Sequence, residues 1–239
     1  MRIAVISDIH ANLTAFKAVL RDLDETAPDL ILHGGDLADG GSSPVEVLDR
    51  IRDLGWPGVI GNTDEMLAIP ATLEAFAQQS TGIQPFLPAI RKMAVATRER
   101  LGPERLAWLG SLPRSRIREP LVLVHAGPDD PWRGPKVDAS EDELRSVYSS
   151  LGQPIVVYGH IHQAFIRKIG ELTVANSGSV GMPYDGDPRA SYLLLEDGVP
   201  TIRRVEYNLD RELRLLSASG LPHADWIART LKAARPQMP

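Results

Sequence analysis

PIVVYGHIHQ, residues 154–163, joins an apolar run to two histidines through a single glycine. The run PIVV contains β-branched residues and is typical of a buried strand. His160 and His162 come almost directly after it, at the point where a strand would leave the core. In open α/β sheets, ligands bind beyond the carboxyl ends of the strands. The stretch therefore predicts a buried strand whose end belongs to a binding site.

Four other predicted strands end in polar side chains of the same kinds. Their motifs are SDIH with Asp8 and His10, GGD with Asp36, GNTD with Asn62, and VLVHAG with His125. A turn or an ordinary polar residue explains any one of these motifs alone. The occurrence of such motifs at five strand ends needs another explanation. Parallel strands bring their carboxyl ends to one edge of a sheet, so side chains at these ends would lie close together. We therefore predict that two Asp, one Asn and four His gather at that edge.

This set of side chains is typical of a ligand shell for two divalent ions. Imidazole and carboxylate groups suit manganese, iron, zinc or cobalt, whereas magnesium and calcium prefer sites made mostly of oxygen. In segments 8–10 and 160–162, an isoleucine separates the two polar residues. If the backbone stays extended, the isoleucine faces the core and its neighbours share the opposite side. His33 and His223 follow no such motif; we predict that His33 faces the core or a neighbouring helix and that His223 lies at the surface near a helix start.

The composition is that of an ordinary globular chain. With 239 residues, of which 43% are hydrophobic, the chain can bury one sizeable core. Its net charge of −5 disfavours long nucleic acid as a partner. The absence of cysteine excludes disulfides and thiolate metal sites. Because the chain has neither a membrane-length apolar run nor a signal-peptide pattern, we expect a cytoplasmic protein without membrane contact.

The order of predicted elements favours α/β layers around one core. Strands alternate with helices in the first quarter of the chain, a proline-rich helical region follows, and hairpin-like strands dominate the second half. The predicted order is strand 2–7, helix 11–25, strand 29–36, helix 43–55, strand 56–64, helices within 65–110, strand 121–127, helix 140–152, strand 154–157, and four short strands before a helical tail from about 208.

The motif order D-x-H, G-D, G-N-x-D, H and G-H-x-H resembles that of the calcineurin-like metallophosphoesterases. The stretch NSGSVGMPYDGDPRASY, residues 176–192, is similar to the segment that follows these motifs in their small bacterial and archaeal phosphodiesterase branch. Residues 2–205 carry the resemblance. It implies a four-layer α/β/β/α sandwich of two mixed sheets, formed by a single domain over residues 1–239. A helical insertion at about 65–110 and a C-terminal helical tail at about 208–239 would belong to that domain.

The resemblance also implies how two divalent ions would be held. One ion would bind Asp8, His10, Asp36 and His162, and the other would bind Asp36, Asn62, His125 and His160. Asp36 would thus bridge the two, and the metals of this superfamily are manganese, iron, zinc, nickel or cobalt, of which we favour manganese. Our hypothesis is that a hydroxide bridging the two ions attacks phosphorus in line, without a covalent enzyme intermediate. Catalysis would then depend on Asp36, Asn62, His125 and His10.

Thr63 departs from the pattern of many similar proteins, which have histidine directly after the asparagine of this motif. Threonine is no general acid at neutral pH, so we predict slow turnover of esters with poor leaving groups. Thr63 remains a candidate for contact with the substrate. The next residue, Asp64, is expected to cap the following helix.

The loop HAGPDDPWRGP, residues 125–135, adds two candidate substrate-binding residues. Trp132 could stack on a base, and Arg133 could form paired hydrogen bonds with a phosphate. In the alternative interpretation, Trp132 only packs the loop and Arg133 faces solvent. Both interpretations are open at the level of sequence.

The leading functional prediction is a metal-dependent hydrolase of small phosphodiesters, with nucleotide-type esters among the candidate substrates. Alternative activities are those of a phosphomonoesterase, a dinucleoside polyphosphate hydrolase or a phosphoprotein phosphatase. An interaction scaffold on the same fold is a non-enzymatic alternative, which the complete set of ligand residues disfavours. A homo-oligomer is compatible with these features.

Overall fold

A computed structural model describes residues 1–239 and contains nine β-strands and eight α-helices. The strands are β1 (Arg2–Ile6), β2 (Leu30–His33), β3 (Ser115–Arg118), β4 (Leu121–Val124), β5 (Ile155–Tyr158), β6 (Phe165–Ile169), β7 (Leu172–Asn176), β8 (Ala190–Glu196) and β9 (Val199–Val205). The helices are α1 (Leu13–Thr26), α2 (Pro44–Leu54), α3 (Asn62–Ala68), α4 (Ala71–Gln79), α5 (Leu87–Gly110), α6 (Glu141–Tyr148), α7 (Leu209–Ala218) and α8 (Ala224–Ala233).

The strands form two mixed sheets. The first sheet has the order β2-β1-β8-β9, in which β1 and β2 are parallel and the other pairs are antiparallel. The second has the order β3-β4-β5-β7-β6, with β4, β5 and β7 parallel and an antiparallel strand at each edge. Each sheet therefore keeps parallel strands whose carboxyl ends lie at a common edge.

Alternation along the strands explains how the layers stack. On β1, Ile3 and Val5 belong to the core between the two sheets, whereas Ala4 and Ile6 belong to the core shared with α1 and α2. On β4 and β5, every second residue packs instead with Tyr148 of α6. Period-two alternation on a strand sends successive side chains to opposite faces. The predicted four-layer α/β/β/α sandwich of two mixed sheets is therefore confirmed.

One strand assigned from the sequence was wrong, and one strand of the structure was not predicted. Residues 56–64 form no regular strand, because only Gly58 bridges to His33 of β2 and α3 begins already at Asn62. Pro57 has no N–H to donate and contributes only its carbonyl oxygen, which accepts from the backbone of His33. The strand that was not predicted is β3, whose sequence SRIR contains no apolar run. It pairs through its backbone as an edge strand on β4, a contact that periodicity cannot show.

The helical regions close the structure at one side of the first sheet. Helices α3, α4 and α5 cover the region where several short helices were predicted, and α5 is kinked at Gly102, directly before Pro103. Helix α7 packs on α1, and its buried Glu212 accepts hydrogen bonds from Thr14 at 2.6 Å and from Ser42 at 2.7 Å. None of the helices is both long enough and apolar enough to cross a membrane.

His33 lies in the core, as predicted, but neither of its ring nitrogens has a hydrogen-bond partner. Its ring lies 6.2 Å from the ring of Trp108, and Gly58 leaves the space that the imidazole occupies. Burial, together with the charge of Arg116, lowers the pKa of His33 to about 3. The imidazole of His33 is therefore neutral in the folded protein at neutral pH.

Acid should destabilise the fold partly through His33. Its pKa of about 3 in the folded protein lies below its value of about 6.5 in an unfolded chain, so falling pH protonates the unfolded chain first. Its stabilising effect is complete above about pH 6.5 and is lost progressively toward pH 3, at roughly 1.4 kcal/mol per pKa unit. His33→Phe keeps a flat ring without the titrating nitrogens.

We expect the free energy of unfolding of His33→Phe, measured with urea, to fall less than that of the natural protein between about pH 7.5 and pH 4.5. Parallel pH curves for the two proteins would contradict this role of the buried imidazole.

Candidate metal centre

Seven side chains that the sequence singled out meet where the carboxyl ends of the two sheets face each other. Asp8 and His10 follow β1, Asp36 follows β2, His125 follows β4, and His160 and His162 follow β5, whereas Asn62 is the first residue of α3. Their side chains form two groups, and Asp36 lies between them.

The first group is Asp8, His10, Asp36 and His162, each of which offers one nitrogen or oxygen atom within 4.8 Å of the others. His162 Nε2 lies 3.1 Å from Asp8 Oδ1 and 3.1 Å from His10 Nε2. All four residues are buried. A compact cluster of buried nitrogen and carboxylate atoms is a suitable ligand set for one divalent ion.

Hydrogen bonds to backbone carbonyls fix the tautomers of the imidazoles in this group. His10 Nδ1 donates to Asp39 O at 2.7 Å, and His162 Nδ1 donates to Met182 O at 2.6 Å. Because the N–H of each neutral ring is therefore at Nδ1, both Nε2 atoms keep a lone pair, and these two atoms face each other. Such an arrangement is repulsive unless a cation lies between the donors, and an outer hydrogen bond of this kind is usual for metal-binding histidine.

The second group is Asn62, His125 and His160, with the other oxygen of Asp36. Asn62 Oδ1 lies 3.0 Å from His125 Nε2 and 2.9 Å from His160 Nδ1. His125 Nδ1 donates to Gly34 O at 2.7 Å, so its Nε2 also keeps a lone pair. This group resembles the first, because imidazole nitrogens and an oxygen again converge, although here His160 Nδ1 can also donate to Asn62 Oδ1.

The carboxylate of Asp36 has one oxygen toward each group. Its Oδ2 lies 3.7 Å from His10 Nε2, and its Oδ1 lies 3.6 Å from His125 Nε2. Thr63 N donates to Oδ1 at 2.9 Å and helps to fix the carboxylate plane. A single carboxylate placed in this way can contact two ions at once.

The pKa shifts of Asp8, His10 and His160 favour the protonation states that metal binding requires, whereas that of His125 opposes it. Burial opposes ionisation of Asp8, but the imidazole of His162 and further histidines hold the pKa of that carboxyl below its usual range. Burial and the neighbouring His125 lower the pKa of His160 to about 4, and burial and His162 also lower the pKa of His10. For His125, Asp36 and Asp8 outweigh burial and raise the pKa.

The backbone of most of these residues is in the left-handed region, which contradicts the extended conformation expected for segments 8–10 and 160–162. The residues concerned are Asp8 (φ 56°), His10 (φ 48°), Asp36 (φ 55°), His160 (φ 66°) and His162 (φ 55°). Each such residue costs of the order of 1–3 kcal/mol and persists only where its surroundings determine its conformation. Sharp reversal at the strand ends, rather than continued pleating, therefore aims these side chains.

Asp64 does more than the helix capping that its position predicted. Its carboxylate accepts from Gly61 N at 3.1 Å, which caps α3, and also from Asp36 N at 2.8 Å and Leu37 N at 2.9 Å. The same side chain thus ties the loop after β2 to the start of α3. It thereby fixes the positions of Asp36 and Asn62 relative to each other.

The segment 177–184 passes directly beside the first group, although the sequence assigned none of its residues to the site. Gly181 N donates to Asp8 O at 3.0 Å, and Met182 O is the acceptor for His162. The ring of Tyr184 stacks on His162 with centroids 4.3 Å apart. The similarity of residues 176–192 to a phosphodiesterase segment was the signal that pointed to this region.

A cavity of about 160 Å³ adjoins the two groups, and 10 of its 16 lining residues are hydrophobic. His10, Asn62 and Thr63 form part of its wall, and so does Trp132. Trp132 also stacks on Phe76 with ring centroids 4.9 Å apart, so one face of its indole is already covered.

Arg133 does not line this cavity. Its guanidinium donates to Asp130 and Gln79 at 3.0 Å each and lies over the ring of Phe76. It lines a separate, more polar pocket instead. The structure therefore brings Thr63 and Trp132, but not Arg133, to the cavity beside the ligand groups.

Comparison with known proteins gives consistent results. The model of the calcineurin-like phosphoesterase superfamily domain matches residues 1–197. An uncharacterized protein of Methanocaldococcus jannaschii is 30% identical over 257 residues, with 98% of each chain covered. The crystal structure of a metallophosphoesterase from Sphaerobacter thermophilus is 28% identical, covers 98% of this chain and 99% of its own, and has a TM-score of 0.79. A hypothetical protein of Pyrococcus horikoshii OT3 shares the fold with a TM-score of 0.84 at 17% identity and 99% coverage of both chains.

Gly159→Ala should disturb this centre through simple crowding. A methyl group at position 159 would come within 3.0 Å of Asp8 Oδ2 and Ser7 Oγ, whereas one at the exposed Gly82 would meet nothing within 4 Å. We expect Gly159→Ala to lower the free energy of urea unfolding by about 1–3 kcal/mol, as overpacking usually does. Gly82→Ala is the matched control and should change it little. Equal stability of the two variants would contradict the close contact between β5 and β1.

Proposed function

We propose that this chain, which belongs to the calcineurin-like phosphoesterase superfamily, hydrolyses small phosphodiesters with the help of two divalent metal ions. One observation carries the proposal: the two oxygens of Asp36 face two separate groups of lone-pair donors, at 3.7 Å and 3.6 Å. Members of the superfamily bind divalent metals, and the chemistry of both donor groups fits such ions.

In this proposal each donor group holds one ion, and Asp36 is shared. Asp8, His10, Asp36 and His162 would hold the first ion, and Asp36, Asn62, His125 and His160 would hold the second. Four imidazoles among seven ligands favour manganese, iron, zinc, nickel or cobalt over magnesium or calcium. Manganese is the first ion to test.

The chain's own residues set the charge and geometry of the site. When bound, two divalent ions would offset the charge of the phosphoryl oxygens and lower the pKa of a water between them. Asp8 and Asp36 contribute the only anionic ligands and Asn62 a neutral one, so net positive charge remains to attract phosphate. Backbone carbonyls hold the N–H groups of His10 and His125 away from the site, which keeps their Nε2 lone pairs available.

Thr63 and Trp132 are the residues we propose for substrate contact. The Oγ1 of Thr63 is buried without a hydrogen-bond partner, and Thr63 lines the cavity beside Asn62. A phosphoryl oxygen would supply the missing acceptor. Trp132 offers the cavity an apolar surface, since its Nε1 already donates to Glu65 at 2.6 Å.

Charge favours a diester over the alternative substrates. No lysine or arginine is among the 16 residues that line the cavity. A phosphomonoester or a polyphosphate carries more negative charge than a diester, and its recognition usually needs such cations. The proposal therefore prefers phosphodiesterase to phosphomonoesterase, polyphosphate hydrolase or phosphoprotein phosphatase.

Hydrolysis of bis(p-nitrophenyl) phosphate should depend on both metal and ligands. We expect activity to disappear after chelation and to return with Mn²⁺. Asp36→Ala and His125→Ala should each lower kcat/KM by more than about 100-fold, because even the hydrogen-bond partners of metal ligands are worth about 10- to 100-fold. Asp53→Ala, at an exposed carboxylate of α2, is the matched control. Metal-reconstituted Asp36→Ala with undiminished activity would overturn the proposal, and faster hydrolysis of p-nitrophenyl phosphate would overturn the diester preference.

Thr63→His should improve turnover of esters with poor leaving groups. An imidazole at this position of the cavity wall could protonate a departing alkoxide, which threonine cannot do at neutral pH. The comparison uses dialkyl phosphates, whose leaving groups are poor, and p-nitrophenyl esters, whose leaving group is good. We expect kcat for the dialkyl phosphates to rise about 10-fold or more relative to kcat for the p-nitrophenyl esters. Thr63→Gln, which has similar bulk but no proton to transfer, is the control. Equal effects on both ester classes would argue against proton transfer at this position.

A further inference from the structure

The cavity beside the ligand groups has a chemical character that the metal centre alone does not require. Its volume is about 160 Å³, and its wall is mainly hydrophobic. His10 and Asn62 belong to that wall, so the cavity is continuous with the proposed metal site. A group attached to a phosphate at that site would therefore have access to the cavity.

The wall offers little to a charged or strongly polar ligand. Neither lysine nor arginine lines it, and its carboxylate, Asp39, already accepts a hydrogen bond from Thr97 at 2.9 Å. The indole N–H of Trp226 donates to Gln237 O at 2.7 Å, so this side chain also offers the cavity only carbon surface. An uncharged, apolar substituent is the occupant that matches this wall.

The volume limits the size of that occupant. An apolar protein cavity of about 150 Å³ is known to hold a benzene ring, and the present cavity is of similar size, at about 160 Å³. A nucleoside, which adds a sugar to a larger base, exceeds this space. Size and polarity therefore both favour a single ring over a nucleotide.

Helix α8 supplies one wall of the cavity and lies outside residues 1–197, which match the superfamily model. Ile227 and Thr230 line the cavity from this helix and are 4% and 2% exposed. Leu231, on the next turn, is 3% exposed and belongs to the same hydrophobic cluster as Ile227, but it does not line the cavity. Helix α8 thus carries some residues that can contact a ligand in the cavity and others that only pack in the core.

We infer that the cavity receives an apolar ester group about the size of one aromatic ring, and that Trp226, Ile227 and Thr230 of α8 determine which group fits. The inference rests on the proposed function, because the phosphate of the same molecule would occupy the metal centre. It assigns aryl or short branched alkyl phosphate esters, rather than nucleotides, as the substrate class.

Binding of non-hydrolysable phosphonates tests this without relying on turnover. Calorimetric titration of the manganese-loaded protein would compare methylphosphonate, phenylphosphonate and the phosphonate analogue of adenosine 5′-monophosphate, in which a methylene group replaces the ester oxygen. We expect phenylphosphonate to bind at least about 10-fold more tightly than methylphosphonate, since its ring buries additional apolar surface in the cavity. The adenosine phosphonate should bind no more tightly than methylphosphonate. Equal affinities of the two phosphonates, or tightest binding of the nucleotide, would overturn the inference.

A pair of variants on α8 separates ligand contact from packing. Ile227→Ala and Leu231→Ala remove the same number of carbon atoms from one hydrophobic cluster, but only the first enlarges the cavity. We expect Ile227→Ala to raise the affinity for 1-naphthylphosphonate relative to phenylphosphonate by about 10-fold. Leu231→Ala should leave that ratio unchanged. A ratio that moves equally in both variants, or in neither, would overturn the role of α8.

The outcomes also distinguish this inference from the proposed function. Mn²⁺-dependent hydrolysis of bis(p-nitrophenyl) phosphate requires the metal centre whichever group occupies the cavity, and its absence would overturn both proposals. If hydrolysis is present but phenylphosphonate has no advantage, only the inference about the cavity fails. Should Ile227→Ala not fold, the comparison of ligands on the natural protein still decides.

Discussion

The repulsion among unshared lone pairs is the constraint on which this site depends. Each of His10, His125 and His162 spends its N–H on a backbone carbonyl, so the remaining ring nitrogen must face inward as an acceptor. The carboxylates of Asp8 and Asp36 add anionic oxygens to the same space. With neutral imidazoles no proton lies between these facing atoms, and divalent cations would satisfy the arrangement. The fold determines how the rings are oriented, because the carbonyl groups that accept their N–H groups come from loops at the ends of both sheets.

That arrangement is costly to the backbone, and the surrounding contacts hold it. Five of the seven converging residues have positive φ, and conformations of this kind cost of the order of 1–3 kcal/mol each. Asp64 offsets part of the cost, since its carboxylate satisfies the N–H groups of Asp36, Leu37 and Gly61 together. Gly159 contributes differently, because only a residue without a side chain allows the loop after β5 to approach Asp8.

The strands and the helices have separate roles around the centre. Strand ends supply the converging nitrogen and oxygen atoms, whereas the adjoining cavity takes much of its wall from helices outside the two sheets. Met93 of α5 and Ile227 of α8 both line it, and both belong to one hydrophobic cluster. Changes in these helices can therefore alter the shape of the cavity without moving the strand ends.

Local sequence determined most strands, most helices and the seven residues that converge, because apolar periodicity marks a strand and a polar motif marks its end. It did not determine the irregular segment at 56–64, the positive φ values or the direction of Arg133, which depend on neighbours distant in sequence. His10 and His162 are 152 positions apart, yet their Nε2 atoms lie 3.1 Å from each other. Packing of one sheet on the other sets that distance, and so it also places Tyr184 and α8 beside the site. Periodicity describes one element at a time, whereas contacts between elements exist only once the sheets have stacked.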